Sequence, residues 1–311
     1  MYLIAYIAAY AGIAVFLVAV IARIVYWAKM PMHVRWELYP VAHEGEKAAY
    51  GGSYLEEFEW WKQKRHTSLW GEIKAMGLEI FFLVALWEHN RKMWFRSFPF
   101  HFGLYLVAAA TAVMVFAALL AAIWPAAVAG WFGGVLQTLV VILGIGGLGL
   151  GLLGALGLLQ RRLSDEDLKD ATAPADIFNL VFFIGAFGLA LLTWLTVDLG
   201  FGRVMTFVHN LVTFNLVALP GSGAEVWLPA LTAIALSALL AYIPLTHMSH
   251  FVGKYFGYHT IRWNDKPNLA GGEDEEAIEG VLSLPVGWSA GHIRSDGEKS
   301  WAEVATEELE K

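Results

Sequence analysis

The 311-residue chain contains no cysteine. That absence excludes disulfides, covalent c-type haem attachment and cysteine-ligated iron–sulfur clusters within the chain. Any electron it handles must therefore sit on a non-covalently held group. Charge is also scarce, at 16% of residues against 58% hydrophobic, too little for an ordinary soluble domain. No internal repeat, phosphate-binding loop, dinucleotide fingerprint or HExxH motif is present. There is no basic face and the net charge is −7, so nucleic-acid binding is not expected.

What the chain does have is long apolar runs. A hydrocarbon layer of ~30 Å needs about 20 apolar residues. Five stretches qualify: Leu3–Trp27, Phe102–Trp124, Trp131–Leu159, Ile177–Leu199 and Val226–His247. The first follows Met1-Tyr2 without a basic leader or a cleavage site, so it reads as a retained helix. The predicted fold class is therefore all-α integral membrane, a five-transmembrane-helix bundle in the cell membrane.

Basic residues set the expected orientation. Lys29, Arg35, Lys47, Lys62, Lys64, Arg65, Lys74, Arg91, Lys92 and Arg96 lie between the first two spans. Arg161 and Arg162 close the third, and Lys254 and Arg262 follow the last. Pro125–Gly130 is uncharged, and Gly200–Glu225 has Arg203 as its one basic residue. The positive-inside rule then places the N-terminus outside and the C-terminus in the cytoplasm.

The expected organisation is a first transmembrane helix (1–28), a cytoplasmic and interfacial loop (29–100), a four-helix core (101–250) and a cytoplasmic tail (251–311). Met76–Trp87 is apolar but short, which predicts a helix lying in the interface; a sixth span is the alternative. Eleven acids and three bases fall within Gly272–Lys311. That tail reads as an extended, solvated or partner-binding arm with Trp288 and Trp301 as anchors. The third span holds seven glycines between Gly144 and Gly157. Small residues at such spacing let helices approach closely; making room for a flat macrocycle is the other reading.

Ten histidines are present. His33, His43, His66, His89, His259 and His292 lie in polar or interfacial segments, where solvation or a local hydrogen bond accounts for them. His101 opens the second span and His250 follows the last, on one membrane side. A histidine at a span end can simply reach for the interface. Two imidazoles at matching depth on antiparallel helices can instead hold one haem iron from above and below. Candidate metal ligands are thus His101 and His250, with His247 second to His250. Arg96, Arg161, Arg162 and Lys254 are candidates for the propionates. On the outer side His209, Asn210 and Thr111 are candidates for hydrogen bonding a quinone. A site beside the inner haem is the simpler alternative, because an outer one leaves a long gap for electrons. The competing class is a non-redox anchor or transporter. It predicts ionisable groups near the bilayer midplane, and the spans have almost none.

Three motifs carry a family resemblance. They are Phe100-His101-Phe102-Gly103-Leu104; Leu159-Gln160-Arg161-Arg162-Leu163 running on to Ala175-Asp176-Ile177; and Pro244-Leu245-Thr246-His247-Met248-Ser249-His250-Phe251 continuing into Tyr258–Asp265. Over roughly Phe98–Asn268 the chain resembles the gamma subunit of respiratory nitrate reductase and its relatives. The last stretch is most similar to the DsrM-type membrane subunit of the sulfite-reduction-associated complex. The resemblance implies a cytochrome b subunit with haem b, exchanging electrons between a menaquinone pool and a cytoplasmic iron–sulfur subunit of heterodisulfide reductase type. It also implies further membrane and extracytoplasmic cytochrome c subunits and a link to sulfur metabolism. His101 and His250 match the family's inner haem pair. The outer pair falls at Thr111 and Thr232, which implies one bis-histidine haem rather than two.

Overall fold

In the computed structural model, residues 1–31, 50, 56–63, 68–168, 172–257, 270–289 and 293–307 are described. Among them every regular element is a helix, and the one β feature is an isolated antiparallel bridge. Five helices are long and apolar enough to cross a membrane, which marks a multi-pass membrane protein. They are α1 (Tyr2–Ala28), α4 (Arg91–Ile123), α6 (Trp131–Ser164), α7 (Pro174–Val197) and α9 (Ala224–Tyr242), the last prolonged by a short 3-10 turn to Leu245. Shorter helices connect them: α2 (Leu69–Phe82), α3 (Val84–His89), α5 (Pro125–Val128) and α8 (Gly202–Val212). Beyond the last span come α10 (His250–Gly257), α11 (Glu273–Leu282) and α12 (Trp301–Thr306).

The chain divides into two compact units, Met1–Val18 with Met76–Thr246, and Ala19–Ala75 with His247–Lys311. In the first, α4 packs on α6, α6 on α7, and α7 on α9, while α8 lies against α4. The α4–α6 seam is made by glycine. A Cβ added at Gly103 would sit 2.7 Å from the Gly147 carbonyl oxygen, and one at Gly147 would sit 2.7 Å from the Val107 nitrogen. Backbone therefore meets backbone, and the glycines serve close helix packing. The N-terminal half of α1 joins this unit through Tyr2, Ala5, Tyr6 and Ala9, which pack with Phe207, Leu219 and Ala230. At Gly12 an added Cβ would lie 2.6 Å from the Ser237 carbonyl oxygen, so α1 and α9 also touch at a glycine.

Two boundaries differ from expectation. α4 starts at Arg91, ten residues ahead of His101. Its 33 residues advance ~50 Å at 1.5 Å each, well beyond the ~30 Å hydrocarbon layer. The charged first turns are thus an extension of the span rather than part of a loop. Asn90 starts the helix, its side chain accepting from the Met93 N–H at 3.1 Å. The short apolar segment expected to lie in the interface is helical, but broken into α2 and α3 at Leu83, whose φ is 51°. The Glu79 carboxylate accepts the Ala85 N–H there at 3.0 Å. Among the described residues no sixth helix is long enough to span.

In the second unit, the Trp27 and Phe256 rings lie 6.2 Å apart. The tail is not the extended arm expected. α11 opens on four consecutive acids, Glu273–Glu276, favourable at the positive end of the helix dipole. α12 is started by Ser300 and Glu303, each capping the other's backbone N–H. Between them Val286 is 1% exposed, and its N–H donates to the Lys299 carbonyl at 2.9 Å. A few local caps and one buried valine order a segment that lacks apolar periodicity.

Candidate functional site

His101 lies three turns inside α4, on the side of Ser97. Its Nδ1 is 2.8 Å from the Ser97 carbonyl oxygen and 3.3 Å from the Ser97 hydroxyl. A carbonyl only accepts, so Nδ1 carries a proton. Pinning one ring nitrogen to a carbonyl is how proteins orient a histidine for ligation through the other. The Phe100 ring meets the imidazole edge-on at 5.4 Å. Phe100 in turn rests against Gly154, where an added Cβ would sit 2.6 Å from the Phe100 Cα. The glycine seam thus sets the depth and rotation of the histidine.

Three of the four predicted cations gather at the same end of this unit. The antiparallel run of α4, α6 and α7 brings the start of α4, the end of α6 and the start of α7 together. Arg96 spreads its stem over Gly157 and donates to the Lys92 carbonyl at 2.9 Å and the Gln160 side-chain oxygen at 3.3 Å. Arg161 pairs with Asp165 at 3.2 Å. Arg162 is 3.8 Å from Asp176, which also accepts the Ala173 N–H at the start of α7. These partly exposed pairs are individually weak, of order 0–1 kcal/mol. Arg96, Arg161 and Arg162 thus share one end of the unit, two of them paired with carboxylates.

His247, His250 and Lys254 belong to the other unit. The apolar run does not carry the two histidines on one helix face, as their spacing suggested. The last span closes in a 3-10 turn through Pro244 to Leu245; His247 lies in a second 3-10 turn and His250 opens α10. The His250 Nδ1 donates to the His247 carbonyl at 3.3 Å. Although the residue is exposed, enough protein surrounds the ring to disfavour the imidazolium and lower its pKa. The His247 carbonyl bond opposes that shift, and the positive Lys254 adds to it. His250 therefore shares with His101 an Nδ1 anchored on a backbone carbonyl.

The outer candidates separate. Thr111 lies on the exposed face of α4, bonded back to the Val107 carbonyl at 2.9 Å. Asn210 is buried and structural: its Nδ2 donates to the Tyr6 hydroxyl at 3.1 Å, which donates to the Val217 carbonyl at 3.1 Å. Thr232 bonds across to Thr193 at 2.7 Å, tying α9 to α7. His209 alone faces a cavity, of about 450 Å³, lined also by Met114, Ala121, Gln137, Met205 and Thr206. The cavity was not legible beforehand, because a single glutamine in an apolar span has no pattern to flag it. His209 and Asn210 both lie on α8. Asp198 holds its first turn by accepting the Arg203 and Val204 N–H groups at 2.9 and 3.0 Å.

His33, His43, His66, His259, His292 and the motif residues Tyr258–Asp265 lie outside the described residues. Among the described ones, no three His, Cys, Asp or Glu side chains gather as a metal site; a bis-histidine haem asks for two imidazoles only. Compared with family models, curated proteins and solved structures, the chain finds no match.

Proposed function

We propose that this chain is a membrane cytochrome b subunit of a respiratory redox complex, holding one haem b through the Nε2 atoms of His101 and His250. The observation that carries the reading is the shared anchoring of both Nδ1 atoms on backbone carbonyls, at 2.8 and 3.3 Å. Anchoring Nδ1 on a carbonyl is how a histidine is oriented to ligate through its other ring nitrogen. Arg96, Arg161 and Arg162 supply cations for propionates at the His101 end, and Lys254 is the candidate in the other unit. The haem carries one electron at a time when bound; the protein's share is ligation, orientation and electrostatics. Ser97 fixes the His101 tautomer, and the Phe100–Gly154 contact fixes its depth. With its N-terminus outside, the chain keeps both histidines on the cytoplasmic side, where a soluble iron–sulfur subunit of heterodisulfide reductase type can exchange electrons with it. The quinone pool, menaquinone by resemblance, is the other exchange partner, and sulfur metabolism the setting.

The test is a reduced-minus-oxidised spectrum of the purified full chain in detergent. A b-type band is expected, lost in His101→Ala and in His250→Ala and retained in His89→Ala. A colourless wild-type preparation overturns the reading and leaves a non-redox membrane anchor or transporter subunit.

A further inference from the structure

We infer that the elbow between α2 and α3 is a bilayer anchor, whose exposed aromatic face around Leu83 sits among phospholipids at the inner edge of the hydrocarbon layer. Three observations carry this. The first is depth. The Trp94 indole N–H donates to the Phe82 carbonyl at 2.8 Å, and the Tyr105 hydroxyl donates to the Ile80 carbonyl at 2.8 Å. The Phe81 and Tyr105 rings lie 5.6 Å apart. The elbow is thus fastened to α4 between Trp94 and Tyr105. Tyr105 stands 19 residues before Trp124, which caps this span, or ~28 Å along the helix. A hydrocarbon layer of ~30 Å measured from that outer tryptophan ends close to Tyr105.

The second is how the break is satisfied. Leaving the helix at Leu83 frees backbone carbonyl and N–H groups. Water would take them on an aqueous surface; within lipid, protein must. Here side chains take them. Trp94 and Tyr105 hold two carbonyls at the end of α2, and the Glu79 carboxylate holds the Ala85 N–H at 3.0 Å. Met76–Asn90 contains no lysine or arginine and only two acids. Glu79 is engaged at the break, and Glu88 lies at the other end of α3, beside the exposed His89 and Asn90.

The third is the face itself. Leu78, Phe81, Phe82, Trp87 and Phe95 are all exposed, a composition suited to the zone where acyl chains meet headgroups. The stacked series Trp94, Phe98 and Phe102, at 4.4 and 5.3 Å, carries the aromatic surface on into the span. The edge of the patch is basic. The Arg91 guanidinium lies over the Trp87 ring at 4.7 Å, and neither Arg91 nor Lys92 forms an ion pair among the described residues. Both are placed to meet headgroup phosphates. Trp94 and Tyr105 lie on either side of His101 in α4, so the elbow ties that stretch to the inner boundary of the layer. The anchor does not depend on the redox reading above.

The absence of cysteine allows one nitroxide label at each chosen position. Phe81→Cys, Phe82→Cys and Phe95→Cys test the face, and Glu88→Cys the aqueous side. All four residues are exposed, so no label replaces a buried side chain. The labelled full chain is placed in phosphatidylcholine–phosphatidylglycerol vesicles. Power-saturation EPR then reads access by oxygen, which dissolves in lipid, and by a nickel chelate, which stays in water. The oxygen-to-nickel ratio is expected to be several-fold higher at Phe81, Phe82 and Phe95 than at Glu88. Nickel access at Phe81 and Phe82 equal to that at Glu88 would put the elbow in water and overturn the proposal. Exclusion of both relaxants would overturn it too, and would make the face a contact with a second copy of the chain. A thermal melt accompanies each spectrum; the three face positions are read independently, so one misfolded variant leaves two that decide.

Discussion

Alanine at Gly154 should displace the helix that carries His101. An added Cβ there would stand 2.6 Å from the Phe100 Cα and 2.7 Å from its Cβ. The Phe100 nitrogen is nearer still, and ordinary contact begins near 3.4 Å, so α4 and α6 must part by about 1 Å at this point. Neither neighbour can yield by rotating a side chain, because one contact is main chain. Overpacking of this kind costs about 1–3 kcal/mol. Gly149 is the matched control: it lies on the same helix, and a Cβ there meets nothing within 4 Å. Alanine at Gly149 should be neutral or gain up to about 1 kcal/mol from helix propensity. The two variants should therefore differ by about 1–4 kcal/mol in an SDS unfolding titration of the purified chain. Because Phe100 precedes His101, haem content should fall in Gly154→Ala and hold in Gly149→Ala. If both variants unfold together and keep the same haem content, the glycine seam does not position the histidine.

Pyridine haemochrome analysis should give about one haem per chain, since Thr111 and Thr232 occupy the second pair of positions; a value of two would refute the count. Tyr6→Phe should cost about 1–3 kcal/mol, because it strands the buried Asn210 amide and the Val217 carbonyl. The measurement is the same SDS titration, and an unchanged midpoint would show the chain of bonds to be idle. In the tail, the Lys299 and Glu298 N–H groups hold the Asp296 carboxyl below its ordinary pKa, and Ser300 does the same for Glu303. Depressed carboxyl pKa values stabilise the fold above the unfolded-state pKa and lose that contribution as pH falls through the folded one. The α12 segment should therefore be ordered at neutral pH and loosen below about pH 4. A fluorotryptophan at Trp301, followed by fluorine NMR, would report this; a signal independent of pH would contradict it.

The spans were readable because membrane partition is close to additive over about 20 residues. Their ends were less so. The start of α4 at Arg91 was missed because charged turns continue a helix past the hydrocarbon, where hydropathy has no say. The last span ends at Leu245, two residues short of the His247 expected, where the α-helix gives way to a 3-10 turn containing Pro244. Order in the tail came from the Ser300–Glu303 box and the burial of Val286. The box is a short signature visible in the sequence; the burial is not.

At the candidate sites the division is similar. His101 and His250 could be picked out singly by residue type and depth, but the carbonyls anchoring their Nδ1 atoms depend on local turns. Asn210 and His209 are neighbours in sequence with the same polar character. One points into the α1–α8–α9 core and the other into a cavity.

The sequence alone determined that this is a five-span membrane chain without thiol chemistry, because hydrophobicity and residue type are local properties. Only the tertiary structure decided that Gly103 and Gly147 bring α4 onto α6, and that Gln137 and His209 share one cavity. Those pairings depend on which helix faces meet, and that choice is made by packing between residues far apart in the chain.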